Sequence, residues 1–74
     1  MIEVFKTDVK HRMHAIMLIE RIHRTFTEYK ANFDLEDCDR ILRVTSSTGP
    51  VEARRLIRLL KELGFNAEVL PDNV

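Results

Sequence analysis

Two histidines stand three residues apart in the stretch KHRMH, residues 10–14. Imidazole is the commonest metal-binding side chain, and residues three apart are neighbours on a helix surface. If a helix starts at His11, then His14 lies in its first turn and both rings converge on one side. Borderline ions such as Zn(II), Cu(II) and Ni(II) accept that donor type. The positive end of the helix dipole also favours the neutral, ligating form of a histidine placed there. Two ligands leave a tetrahedral site half filled. The candidates for the remainder are Met13 for a softer ion, Cys38 with Asp37 and Asp39 from the acidic run DLEDCD, or the same two histidines of a second copy.

Positioning such a pair requires a strand that hands over to a helix, and the sequence supplies both. IEVFKTDV (2–9) alternates, with Phe5, Thr7 and Val9 on one face and Val4, Lys6 and Asp8 on the other, which predicts a strand. From Lys10 to Tyr29 there is no Gly or Pro, and Ala15, Leu18, Ile19, Ile22 and Phe26 recur at helical spacing. ANFDLE (31–36) alternates again, with Ala31, Phe33 and Leu35 inward. RILRVTS (40–46) returns with Leu42 and Val44 inward after a turn at DCD. TSSTGP then offers hydroxyl caps, with Pro50 in the first turn of a second helix whose stripe is Ala53, Leu56, Ile57, Leu60 and Leu63. Gly64 is suited to end that helix, and NAEVL (66–70) forms a last strand with Ala67 and Val69 inward before Pro71.

The order is strand, helix, strand, strand, helix, strand. It predicts a ferredoxin-like α+β fold, a βαββαβ split sandwich in which two helices cover one face of a four-stranded antiparallel sheet. In that topology KHRMH, the DCD turn with Cys38, and Phe65 after the second helix all gather at one pole.

On this pattern the sequence resembles the heavy-metal-associated domains of copper chaperones and metal-transporting ATPases, which carry M-x-C-x-x-C between strand 1 and helix 1. Here that slot reads V-x-H-x-x-H, Val9 to His14. FKTDVK, FDLEDCDRILRV and GFNAEV resemble a bacterial branch of the family, so the resemblance spans most of the chain. It implies a metal-binding module of the ferredoxin-like fold with its site at His11 and His14. The departures bear on that implication: both motif cysteines are replaced by histidine, and the Gly usual before strand 2 is replaced within TEYK. Soft Cu(I) prefers thiolates, and two neutral imidazoles neither match that softness nor offset the ion's charge.

Composition narrows the remaining classes. With 74 residues, 45% of them apolar and 32% charged, residues 1–74 fit one small domain whose core is modest for its surface. A single cysteine excludes an intrachain disulfide. With a strand-like rather than basic and apolar start, it points to a reducing cytoplasm. No run is long enough to span a membrane. Twelve basic and twelve acidic residues give zero formal charge, without the footprint expected for nucleic acid. The outward strand positions Val4, Lys6, Ile41 and Arg43 also offer no aromatic platform for bases.

Catalysis has no foothold either: there is no Ser-His-Asp or Cys-His set that the topology would bring together, no Gly-rich phosphate loop, and no Glu beside the histidines as in HExxH. Cys38, among carboxylates, reads as an inert surface thiol. Met13 and Met17 read first as packing or half-exposed helix residues rather than as ligands. Arg12, Arg21 and Arg24 in the first helix, and Arg54, Arg55, Arg58 and Lys61 in the second, read as solvated faces or as a surface for an acidic partner. The expectation is therefore a non-enzymatic binding module that takes a divalent Zn, Cu or Ni ion through His11 and His14. The alternative is a metal-free protein-interaction or homodimerisation domain.

Overall fold

A computed structural model describes residues 1–36 and 38–70. Six elements run in the order β1 (Ile2–Thr7), α1 (Arg12–Thr25), β2 (Tyr29–Asp34), β3 (Ile41–Ser46), α2 (Ala53–Glu62) and β4 (Ala67–Val69). The strands form one antiparallel sheet in the order β2-β3-β1-β4, as the ferredoxin-like fold requires. β1 lies centrally, with Phe5 paired to Leu42 on one side and to Val69 on the other.

Alternation along the strands sends one set of side chains to the helices. Phe5, Leu42 and Val44 from the sheet, Leu18 and Ile22 from α1, and Leu56 and Leu60 from α2 are all essentially inaccessible. Each such side chain contributes about 1.5–3 kcal/mol by leaving water. Val9, just past β1, is equally buried and anchors the chain where it turns toward α1.

Several boundaries differ from the sequence expectation. β1 ends at Thr7, and residues 8–10 form a linker. α1 ends at Thr25 with Phe26 as its C-cap, because Tyr29 leaves the helix to pair with Ser46 as the first residue of β2. β2 accordingly lies two residues earlier than predicted. Since a two-residue shift preserves the side-chain period, Ala31, Phe33 and Leu35 keep the inward face. The turn predicted at DCD falls within residues 35–40, where Arg40 takes a positive φ of 49° and donates from its guanidinium to the Leu35 carbonyl at 2.7 Å. Asp37 lies outside the described residues.

α2 begins at Ala53 rather than at Pro50. The hydroxyls of TSSTGP do not cap it: Thr48 donates to Glu28 instead, at 2.8 Å. The Tyr29 hydroxyl, accepting from the Glu52 N–H at 2.8 Å, ties the start of α2 to β2. Val69, expected inward, remains 38% exposed on the short edge strand β4. Ile41 shows the reverse: it belongs to the uncovered face yet is only 7% exposed, flanked by its register partners Lys6 and Asp34. Among the described residues no helix is long and apolar enough to cross a membrane.

Candidate functional site

The pole at the end of β1 is assembled by three backbone devices. Thr7 is the first. Its hydroxyl donates to the Arg40 carbonyl at 2.6 Å and accepts from the Val9 N–H at 3.2 Å, while its own N–H donates to the Asp39 carbonyl at 3.2 Å. This buried side chain fastens the β2–β3 turn to β1 and fixes the direction in which the chain leaves for α1.

A second device joins the residue after β1 to the residue before β4. The Asp8 carboxylate accepts from the Asn66 N–H through Oδ1 and from the Asn66 side-chain amide through Oδ2, each at 2.9 Å, and the Asp8 N–H donates to the Asn66 carbonyl at 3.3 Å. The backbone bond from Asn66 is the largest influence on the Asp8 carboxyl and lowers its pKa, because hydrogen bonds to the charged form favour it.

Gly64 supplies the third. At φ 97° it closes α2 in a Schellman motif, with the Phe65 N–H on the Leu60 carbonyl at 2.9 Å and the Gly64 N–H on the Lys61 carbonyl at 3.0 Å. That reversal delivers Phe65 to the pole, where its ring centre lies 5.2 Å from that of His14.

Within this frame His11 is the N-cap of α1, in extended conformation with φ −108° and ψ 137°. Its carbonyl accepts from the Ala15 N–H at 3.1 Å, but its side chain makes no capping bond, so the imidazole is left for other work. His14 follows in the first turn. Their ring centres are 5.3 Å apart, edge to face at 88°, and both residues are exposed. Two imidazoles sharing one tetrahedral zinc, at Zn–N lengths of about 2.0–2.1 Å, have ring centres about 5.2 Å apart. The separation therefore suits a shared ion. The perpendicular pose aims one ring at the other, so chelation requires a side-chain rotation, for which both residues are exposed and His14 has the Phe65 ring on one side.

The further donors are distributed differently. Met13 is 74% exposed on the first turn of α1 beside the two histidines. Cys38 is an exposed free thiol, and Asp39 lies 3.9 Å from Lys6. No group of three or more His, Cys, Asp or Glu side chains suited to holding a metal ion occurs among the described residues, so Cys38 and Asp39 do not join the histidines. This donor set does not fit Cu(I) held between two thiolates. It fits half of a site for a borderline divalent ion.

Some of what shapes the pole carries no local sequence signal. The Asp8–Asn66 clasp joins residues 58 apart, and Thr7 reads in the sequence only as an inward strand residue. His23, expected on the flank of α1, accepts from the Ala31 N–H at 3.1 Å through Nε2, satisfying a donor on edge strand β2. Comparison with protein-family models, with curated proteins and with solved structures finds no match to the chain.

Proposed function

We propose that this chain is a small non-enzymatic binding module whose pole takes up a divalent transition metal ion, Zn(II), Cu(II) or Ni(II), through His11 and His14. One observation carries the reading: two exposed imidazoles at the start of α1, 5.3 Å between ring centres, with neither side chain used to cap the helix. The resemblance of V-x-H-x-x-H to the metal motif of heavy-metal-associated domains supports the same location. Because the protomer offers two imidazoles, the remaining positions are filled from outside it, by water or by the same pair of a second copy. Phe65, its ring centre 5.2 Å from that of His14, borders that exposed ring on one side. The lone cysteine suits the reducing cytoplasm as the compartment.

A second reading rests on a different observation. Met13, Ile16 and Met17 are 74%, 48% and 39% exposed at positions i, i+3 and i+4 of α1, an apolar strip that begins beside the histidines. It suits a metal-free contact with a protein partner or a second copy.

Calorimetric titration of chelator-treated protein with Zn(II), Cu(II) and Ni(II), beside the His11→Ala, His14→Ala double variant, tests the first reading. The expected result is micromolar or tighter binding, about 8 kcal/mol, that disappears in the variant. Absent binding, or binding the variant retains, overturns it. Sedimentation with and without chelator separates the readings, since assembly that survives chelation and is lost in Met13→Ser, Met17→Ser supports the second.

A further inference from the structure

Away from the histidines, a cleft of about 590 Å³ opens between the C-terminal end of α1 and the outer side of α2. Phe26 and Leu59 supply its apolar part, Arg54, Arg55 and Arg58 its cationic part, and Glu62 its single carboxylate. Arg55 is committed: its guanidinium pairs with Glu52 at 3.3 Å and lies 5.2 Å over the Phe26 ring. Among the described residues no carboxylate pairs with Arg54 or Arg58.

The placement of these arginines runs against local helix physics. Arg54 and Arg55 occupy the first turn of α2, where the dipole disfavours cations; Glu52 at the N-cap pairs with Arg55, which leaves Arg54 as the cation without a carboxylate there among the described residues. Arg54 and Arg58 are also like charges four apart on one face, which destabilises a helix. Local rules broken together at one cleft point to function rather than to folding. An anionic occupant removes both penalties.

We infer that this cleft binds an extended acidic peptide segment of a partner protein, with carboxylates at alternate positions seated on Arg54 and Arg58. The spacing supports an extended chain. Residues four apart on a helix are about 6 Å apart along its axis, and side chains two apart on an extended strand are about 6.6 Å apart on one side. A nucleic acid is disfavoured, because Phe26, the aromatic ring lining the cleft, is already engaged by two side chains: Tyr29 stacks on it at 4.9 Å and the Arg55 guanidinium lies 5.2 Å over it. The cleft is independent of the histidine pair.

The test is fluorescence anisotropy at low salt with labelled Ser-Glu-Ser-Glu-Ser-Glu-Ser and its isomer Ser-Ser-Glu-Glu-Glu-Ser-Ser, against the wild-type chain. Two variants accompany it: Arg54→Gln, Arg58→Gln, and a charge-matched control on the uncovered sheet face, Lys30→Gln, Arg43→Gln. Circular dichroism confirms that both variants fold. The alternating peptide is expected to saturate below roughly 1 mM, to bind more tightly than its isomer, and to lose about fivefold or more in the cleft variant, the scale of two exposed charge pairs. The control is expected to change it by less than about twofold. No saturation, equal binding of the isomers, equal loss in the control, or tighter binding of an oligothymidylate of the same charge each overturns the inference.

Discussion

Removing the Asp8 carboxylate tests the clasp that closes the pole. In Asp8→Ala two hydrogen bonds to Asn66 are lost, each 2.9 Å in the native chain. Bonds to a charged acceptor are worth about 1.5–3 kcal/mol when shielded, but Asp8 is exposed and water replaces part of each, so the pair is expected to contribute about 1–2 kcal/mol. For a domain of this size that lowers the melting temperature by roughly 5–15 °C.

The pH dependence supplies a sharper check. The folded Asp8 carboxyl titrates below the ordinary value of about 3.9, so as pH falls the unfolded chain takes up its proton first. The stabilisation is thus full above about pH 5 and disappears as pH falls through the folded value. Urea unfolding of wild type and Asp8→Ala from neutral to acid pH should show a constant difference in midpoint that closes on acidification. A difference within about 0.3 kcal/mol at pH 7, or one that does not narrow in acid, refutes the assignment of the clasp. Because Asn66 follows Phe65, the variant should also loosen the contact of Phe65 with His14, seen as a weaker nuclear Overhauser effect between the rings.

Four further outcomes follow from the same contacts. Thr7→Val leaves the Val9 N–H buried without its acceptor and should cost about 1–3 kcal/mol in denaturant unfolding. Gly64→Ala meets no atom within 4 Å, so its cost is confined to the left-handed backbone, about 1–2 kcal/mol. A larger loss there would reveal a contact the fold does not contain. Leu60→Ala removes a fully buried side chain and should cost about 2–5 kcal/mol. If His11 and His14 chelate, zinc at a hundredfold excess over its Kd raises stability by about 2.7 kcal/mol, and the double alanine variant shows no such rise in a thermal melt.

The alternating strands, the two helical stripes and Gly64 at the end of α2 are all legible in the sequence, because each is a local period or a local conformational demand. Phe5, Leu18, Ile22, Leu42, Val44, Leu56 and Leu60 could be assigned inward from spacing alone, and they form the core. Proximity of His11 to His14 was equally local, resting on three residues of helix. Tertiary structure decided the rest. Tyr29, expected at the end of α1, instead opens β2 opposite Ser46, and its hydroxyl receives the Glu52 N–H immediately before α2. Where Asp8 finds Asn66, where His23 meets the edge of β2, and that Cys38 and Asp39 stay apart from the histidines depend on how distant segments pack. Such contacts have no period along the chain. They exist only once burial of the apolar faces has set the angle and distance between the elements that carry them.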